Sequence, residues 1–513
     1  MLMFYIFLLF NHFVSIYTNT FLNYSLTRNK RNINYSIVDR SECSEIKSIC
    51  NNLSENDDLL ILECLLSTNS KILNHLNKSC QHVVWEHTKN LIQDESVKSK
   101  LLPSCSNDLN QLNCGVDDSG NYLKCILNNI NNIHTTNCID MLIRLENVAF
   151  TDYMWISSFL QHCTKDINNL KCGRVDSQSF TQINTVNCLQ NNILNIQDDC
   201  KREVFHLSEL QSENIKLDAQ LYSDCSDDYM RYCSNYGAGN GRVFSCLMQH
   251  MHKDQSKLRD KCQQHLLRRQ KLIVQDYRIS KGLLRACKDD IRKTHCRKQI
   301  SSDKTVRLAQ ILLCLENMMK NGTTLDSECK EEMIDHRKML MEDYRLSPEI
   351  VNNCKNEISI YCKGFETGGK TIHCLMDHAL LKAGNSNTKI NDQCMRALED
   401  LVKETDVGEN WSVDPILQQA CYPVVKVACK DLLGGDAKVM SCLMDKLGTD
   451  YMNEECENAL IQIQYFVARD FKLDPQLYRG CKRDAIRYCH VRPDNVTEEG
   501  PAYGPEVLPC LYR

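Results

Sequence analysis

Thirty-one cysteines recur in a four-beat rhythm, and no other feature limits so strongly what this chain can become. Label the beats C1 to C4. The first three sets are Cys43, Cys50, Cys64 and Cys80; Cys105, Cys114, Cys125 and Cys138; and Cys163, Cys172, Cys188 and Cys200. The next four are Cys225, Cys233, Cys246 and Cys262; Cys287, Cys296, Cys314 and Cys329; Cys354, Cys362, Cys374 and Cys394; and Cys421, Cys429, Cys442 and Cys456. An eighth set, Cys481, Cys489 and Cys510, stops before a C4. The step from each C4 to the next C1 is 25 residues six times and 27 once. So constant a ruler marks one small structural unit copied in tandem.

A unit of roughly 60 residues buries too little apolar surface to be secure alone, so covalent staples are expected. Four cysteines per unit allow two disulfides, each worth ~3 kcal/mol for loops of this length. The sixteen cysteines from Cys225 to Cys456 are the foremost candidates for such pairing. Structural zinc is the competing reading. It needs close C-x-x-C pairs, and this chain has none. Evenly spread, paired cysteines point to an oxidising compartment.

The N-terminus agrees. Met1 to Phe10 reads MLMFYIFLLF, too short to span a bilayer and read here as the core of a signal peptide over residues 1–17. The rival reading, an uncleaved anchor running to Tyr17, is interrupted by Asn11 and His12. A linker follows at 18–42, in which Arg28-Asn29-Lys30-Arg31 reads as a plain basic segment rather than a processing site. The cysteines then divide the chain into repeat one (43–104), two (105–162), three (163–224), four (225–286), five (287–353), six (354–420), seven (421–480) and an incomplete eight (481–513). N-x-S/T sequons at Asn23, Asn34, Asn52, Asn77, Asn321, Asn410 and Asn495 make N-glycosylation the expectation at those positions.

Within a repeat, apolar residues after C4 recur at three- and four-residue steps, the pattern of an amphipathic helix. Tyr153, Tyr277, Tyr344 and Phe471 each stand 15 residues after a C4. Asp218, Ser280, Ser347 and Asp474 stand 18 after, and Asp414 matches once its two-residue insertion is allowed. Pro348, Pro415 and Pro475 follow directly. An Asp or Ser cap with proline in the first turn predicts a new helix that carries C1 and C2. Eight residues of helix span ~12 Å, too far for a disulfide, so C1 cannot bond C2. Within a repeat this leaves C1–C3 with C2–C4, or C1–C4 with C2–C3. The second, nested form suits an antiparallel helical hairpin and is the one expected; bonds between repeats stay open. Between C2 and C3 the length varies and glycine collects (Gly237, Gly239, Gly241; Gly364, Gly368, Gly369; Gly434, Gly435). That segment reads as the loop that tolerates insertion. The expected fold class is all-α: tandem disulfide-stapled helical repeats stacked as a solenoid or rod.

Cys354-KNEISIYC, Cys481-KRDAIRYC, Cys374-LMDH and Cys442-LMDK, with a helix closing on Asp-Tyr-Arg-Leu, carry a resemblance. The unit resembles the cysteine-rich repeat of the Golgi apparatus protein 1 family, whose members are also called cysteine-rich fibroblast growth factor receptors and E-selectin ligands. The likeness is clearest from Asp218 to Cys489 and weaker in the asparagine-rich first three repeats. It implies a type I membrane glycoprotein of the Golgi with a large lumenal array. It also implies secreted partners: fibroblast growth factors, selectins bound through glycans, and growth factor precursors. The family has about twice as many repeats and a C-terminal membrane helix. Repeat eight stops at Arg513, so the chain reads as a fragment or a truncated form, and membrane attachment is expected only through a C-terminal helix beyond it.

The sequence contains no G-x-S-x-G, H-E-x-x-H, P-loop or Rossmann glycine pattern, and with the cysteines committed to disulfides no nucleophilic thiol is expected. No enzyme activity, cofactor or metal is expected, and His250-Met-His252 reads as a surface pair rather than a metal site. From Lys253 to Arg307 there are 17 Lys or Arg and 6 Asp or Glu, in a chain whose net charge is −5. Arg268, Arg269, Lys271, Arg292, Lys293, Arg297 and Lys298 are therefore the candidate patch for an anionic ligand, a sulfated or sialylated glycan. The competing reading is solvated helix faces of alternating sign. Nucleic acid is excluded by compartment. The function expected is a lumenal protein that binds secreted ligands and affects their trafficking. A saposin-like lipid carrier and a purely structural rod are the alternatives.

Overall fold

The computed structural model describes residues 36–50, 57–67, 76–91, 94–109, 135–149, 157–173, 183–237, 241–251, 258–297, 306–320, 322–365, 368–381, 390–430, 437–491 and 506–512, with a few isolated positions between them. Among the described residues every regular element is helical and there is no strand. They group into two compact units, residues 1–203 with 216–223 and residues 204–215 with 224–513.

Unit two shows the repeat at its most regular. Its C4 helices are Asp260–Gln275, Ser327–Glu342, Asp392–Thr405 and Glu454–Val467. Tyr277, Tyr344 and Phe471, expected near the close of these helices, instead open separate 3₁₀ turns at Tyr277–Ile279, Tyr344–Leu346 and Phe471–Leu473, and Trp411 opens the matching turn Trp411–Val413. The cause is the residue before the aromatic. Asp276, Asp343, Asn410 and Asp470 leave helical geometry, and each side chain accepts the backbone N–H two residues on, at 3.0, 3.0, 3.0 and 3.1 Å. A short acceptor that competes for backbone donors ends a helix and starts a turn. The next helix starts at its expected cap. Ser280, Ser347, Asp414 and Asp474 accept from the N–H of Leu283, Ile350, Leu417 and Leu477 at 3.2, 3.4, 3.0 and 2.9 Å. The C1 helices Lys281–Lys293, Pro415–Ala428 and Pro475–Tyr488 follow, and in repeat six the segment breaks into Pro348–Asn353 and Lys355–Tyr361.

The nested disulfide pairing is the one found. Every disulfide between described residues joins C1 to C4 or C2 to C3 of the same set. In unit two the C1–C4 bonds are Cys225–Cys262, Cys287–Cys329, Cys354–Cys394 and Cys421–Cys456. The C2–C3 bonds of the same repeats are Cys233–Cys246, Cys296–Cys314, Cys362–Cys374 and Cys429–Cys442, with Cys489–Cys510 in the eighth set. The two kinds of bond differ in reach. C1–C4 pairs hold Cα atoms between 4.6 Å apart, in Cys163–Cys200, and 4.9 Å apart, in Cys43–Cys80. C2–C3 pairs run from 5.5 Å in Cys172–Cys188 to 6.3 Å in Cys50–Cys64. Cys262 and Cys233 are fully buried and Cys362 and Cys429 nearly so, so the bonds lie inside the repeat core, with Cys246 at its edge. Cys481, the C1 of set eight, is free.

In repeats three to six a buried carboxylate three residues after C1 accompanies the staple, whereas repeats one and seven bury Ile46 and Val424 there. Asp166, Asp228, Asp290 and Glu357 accept the backbone N–H of Gln197, Arg259, Asp326 and Asn391 at 3.2, 3.1, 3.1 and 3.1 Å. Each of those donors stands three residues before a C4, where the C4 helix begins, so the acid fixes the start of that helix against the C1 helix. Asp108 occupies the same position in repeat two and is also buried. Where the residue three before C4 is asparagine it serves both helices. Asn391 and Asn453 cap their helix by accepting from the N–H of Cys394 and Cys456, and donate Nδ2–H to the carbonyls of Asn353 and Ala420 just before C1.

Successive repeats of unit two are joined by one recurring hydrogen bond. In repeats four, six and seven the residue before the C3 helix donates its N–H to the glutamate carbonyl at or just beyond the end of the preceding C4 helix. The pairs are Gly241 to Glu213 (3.0 Å), Gly369 to Glu342 (2.8 Å) and Ala437 to Glu409 (3.2 Å). All three donors take positive φ, at 63°, 74° and 56°. A Cβ on Gly241 would meet Lys281 Cβ at 2.7 Å, and one on Gly369 would meet Pro415 at 3.0 Å. The C1 helix of the repeat after next thus closes over the same joint, and three consecutive repeats meet there. Gly241 and Gly369, expected as loop residues, are joint residues.

Unit one is built on the same plan. Leu62 and Leu65 of helix Asp58–Ser67, Leu101 of Asp94–Leu109 and Leu142 of Thr136–Ala149 share one core with the Cys43–Cys80 and Cys105–Cys138 disulfides. Arg144 grips the Glu63 carboxylate at 3.0 and 3.1 Å.

Ala437 is the joint residue whose side chain works against its backbone, since an L-residue in the left-handed region is strained by roughly 1 kcal/mol. Ala437→Gly is therefore expected to stabilise unit two by about 1 kcal/mol, read as a higher denaturant midpoint. Gly241→Ala, which adds both strain and a clash, is expected to lower it.

Candidate functional site

Unit two contains a cleft of about 570 Å³ formed by three of these helical layers. Phe244 and Met248 come from the C3 helix of repeat four, Ile273 from its C4 helix, and Ser280 from the cap that follows. Glu332, His336 and Met339 come from the C4 helix of repeat five, and Val413 and Pro415 from the turn and helix start that lead from repeat six into repeat seven.

Its polar centre is a joint. The His336 Nε2 lies 2.8 Å from the Ser280 hydroxyl. Serine beside histidine raises the question of a nucleophile, but the geometry answers otherwise. Ser280 Oγ already accepts the Leu283 N–H as a helix cap. The Glu332 carboxylate is 3.9 Å from the same Nε2, not on Nδ1 as in a Ser-His-Asp arrangement. Burial pushes the His336 pKa down to about 4 and keeps the imidazole neutral. Burial also raises the pKa of Glu332, with Asp335 and Glu328 adding to the effect.

Repeats six and seven meet at a second buried histidine. His373 Nε2 is 2.7 Å from Asp414 Oδ2, and its Nδ1 is bonded to Gln462. Burial opposes the imidazolium, but Asp414 prevails and raises the His373 pKa. Repeats five and six share a buried ionic network. Arg337 donates to Glu316 at 3.0 Å, and Lys320 reaches Asp406 at 3.1 Å. The acids and the arginine are nearly or fully enclosed.

The sequence-derived cationic patch does not assemble as expected. Arg268 is 8% and Arg269 2% exposed. Arg269 donates to the Ser208 carbonyl at 2.5 Å and lies over the Phe244 ring at 4.9 Å. Both arginines are buried on the C4 helix of repeat four, with Arg269 lining the cleft described above, so neither joins the exposed cations of the patch. Lys271 is exposed on that helix, and Arg292, Lys293 and Arg297 are exposed at the end of the C1 helix of repeat five. Lys298 lies outside the described residues, as do His252 and the sequons at Asn23, Asn34, Asn52, Asn321 and Asn495. Asn77 is exposed; it caps helix Lys78–Leu91 through Cys80 N and donates to the Glu42 carbonyl at 3.0 Å. Asn410 caps the repeat-six turn at the position where Asp276 and Asp343 pair with Arg278 and Arg345. His250 stacks on Tyr232 at 4.9 Å, as His378 stacks on Tyr361 at 4.4 Å. In both repeats this pairs the tyrosine before C2 with the histidine four residues after C3.

Sequence reasoning missed a recurring exposed apolar pair. Met230, Ile360 and Val427 lie two or three residues before C2 and are 65%, 69% and 64% exposed. Tyr236, Phe365 and Leu432, each three residues after C2, are 48%, 46% and 37% exposed. Isolated surface apolar side chains are ordinary, but apolar side chains bare on the turn before C2 and at the third residue after it in three repeats make a patterned surface. The signal was present in the spacing from C2, where the helical period alone assigns such residues to the core.

Nested disulfides, a shared cap and a shared joint define a disulfide-stapled helical repeat protein. The chain belongs to the cysteine rich repeat family: the Cys_rich_FGFR profile matches residues 198–255, 260–323, 327–381, 392–450 and 454–513. It is similar to Golgi apparatus protein 1 of Homo sapiens, at 35% identity over 497 residues, covering 93% of this chain and 42% of that protein. The protein of that name from Gallus gallus is likewise 35% identical, over 93% of this chain and 43% of its own length. The Golgi apparatus protein 1 homolog of Caenorhabditis elegans is 32% identical over 89% of this chain and 43% of its own. The chain thus spans less than half the length of the curated relatives it matches. Among the described residues no helix is long and apolar enough to cross a membrane.

The two histidine joints respond to acid in opposite directions. His336 is neutral in the fold down to about pH 4 but protonates near 6.5 when unfolded. Stability is therefore lost as pH falls from 6.5 towards 4, by about 3 kcal/mol in all. His373 has a raised folded pKa, so its contribution is full below 6.5 and fades as pH rises through the folded value. Unfolding midpoints measured across pH should show a shallower acid-side fall in His336→Gln and a shallower alkaline-side fall in His373→Gln. Lys320→Met leaves the Asp406 and Glu316 carboxylates short of a cation and should destabilise by about 3 kcal/mol, read by denaturant unfolding.

Proposed function

We propose that this chain is a lumenal docking array of the Golgi that binds secreted proteins in transit, with fibroblast growth factors and growth factor precursors as the partner class, and affects their passage. The observation that carries this reading is the apolar register beside C2. Repeats four, six and seven present bare apolar side chains at equivalent places on a backbone held by the Cys233–Cys246, Cys362–Cys374 and Cys429–Cys442 bonds. A protein surface uses such rigid anchors when it binds another protein. The compartment is supported by the paired cysteines and by relatives named for the Golgi apparatus. On this reading the sequons carry N-glycans, and Asn77, which bonds Glu42 through Nδ2, keeps one N–H for that bond after modification.

The test uses the full chain secreted from cultured cells and purified fibroblast growth factors on a biosensor. Binding is expected, and Ile360→Ser, Phe365→Ser and Val427→Ser together should weaken it at least tenfold while the melting profile holds. Unchanged affinity in that variant would remove the apolar register from the account. Failure of the wild-type chain to bind any of them would favour a structural rod. A tagged chain should also overlap a Golgi marker in cells.

A further inference from the structure

The C1 helix of repeat five carries a face that its immediate neighbours lack. Arg285, Lys288, Arg292, Lys293 and Arg297 are all exposed. Their positions are two before C1, one and five and six after C1, and one after C2. At those five positions repeat four has a single cation, Arg231. Repeat six has two, Lys355 and Lys363, and repeat seven has two, Lys426 and Lys430. Exposed Met230, Ile360 and Val427 stand at others of these positions in those repeats. The fold therefore does not require cations there. Like charges three and four residues apart on a helix repel by a few tenths of a kcal/mol per pair, a cost that the loose 3.9 Å contact of Arg292 with Asp289 offsets only in part. Asp289 is the one exposed acid between Arg285 and Arg297, because Asp290 is buried and engaged with the Asp326 N–H. Glu332 faces Arg285 at 3.9 Å.

The backbone under these charges is fixed at both ends. Cys287–Cys329 ties the middle of the helix to the C4 helix with Cα atoms 4.7 Å apart, and Cys296–Cys314 ties its end to the C3 helix at 5.8 Å. A ligand meeting this face has little main-chain freedom to freeze out. Repeat eight presents a second face of the same kind in the same unit, with Arg479, Arg483 and Arg487 exposed and Lys482 half-buried on helix Pro475–Tyr488. Two cationic faces, the first tied at both C1 and C2 and the second at C2 alone, with less basic repeats between them, suit a long polyanion better than a compact one. Guanidinium forks match the paired oxygens of a sulfate group, which stays charged at every physiological pH. No large apolar side chain is exposed among the described residues from Arg285 to Arg297, which disfavours a lipid surface, where basic helices insert apolar groups.

We propose that the C1 helix of repeat five, with that of repeat eight as a second contact, binds a linear sulfated polysaccharide. The proposal rests on the lumenal reading above, since such chains are displayed in that compartment, but it does not depend on the apolar register. The test is binding of the full secreted chain to immobilised heparin at about 0.15 M salt. The variant R285Q/K288Q/R292Q/K293Q/R297Q should bind at least tenfold more weakly and with a flatter salt dependence, while keeping its circular dichroism and its affinity for fibroblast growth factors. The control variant K355Q/K363Q/K426Q/K430Q, which neutralises the neighbouring repeats, should bind within twofold of wild type. Desulfated heparin should not bind. Equal binding by the five-site variant overturns the proposal, as does an equal loss in the control, which would reduce the effect to net charge. Binding to phosphatidylserine vesicles without binding to heparin also overturns it and assigns the face to a membrane. Loss of growth factor binding in the wild-type chain would instead strike the docking reading and leave this one standing.

Discussion

The C1–C4 disulfide is the constraint on which the repeat depends, completed in repeats three to six by a buried carboxylate one turn further along. The bond holds two helices at a Cα separation under 5 Å, and the acid then fixes the end of one against the side of the other through a backbone N–H. In those repeats the two act together. A disulfide acts largely on the unfolded chain and leaves the helices free to pivot. A buried carboxylate without its donor would be a liability of about 1–3 kcal/mol or more. Together they define one relative placement of two helices, and the remaining structure of a repeat is built outward from it.

Much of this was legible in the sequence. The cysteine ruler, the Ser or Asp cap and the following proline located the helices, and the helical rise alone excluded a C1–C2 bond. What escaped had a common physical origin. Asp228 and Asp290 look like surface acids until the start of the C4 helix supplies their partner some 30 residues away. Arg268 and Arg269 look like surface cations because composition cannot show which face of a helix turns inward. Arg269 is tolerated inside by a carbonyl and an aromatic ring from two other helices. The glycines between C2 and C3 read as slack because positive φ has no signature beyond the residue itself, and Ala437 holds the same geometry without one.

The two buried histidines show how one scaffold can set opposite protonation preferences. His336 faces a hydroxyl and burial dominates, whereas His373 faces the Asp414 carboxylate and charge dominates. Glu404 adds a third such group. Burial, helped by Glu349 and Asp400 against Arg307, pushes its pKa up to about 7. These groups lie in or beside contacts between repeats, so the balance among them tunes how firmly adjacent layers of unit two hold across the pH range of a secretory route.

The joint shared by three repeats changes how such an array must come apart. In a solenoid with nearest-neighbour contacts only, the terminal layer peels away and the rest are left as they were. Here Gly241 bonds backwards to Glu213 while Lys281 closes over it from the layer beyond. Removing one layer would strip a lid from the seam between the two beneath it. Such a stack should yield in blocks when pulled or digested, with few of the single-layer intermediates that a protease could trim one at a time.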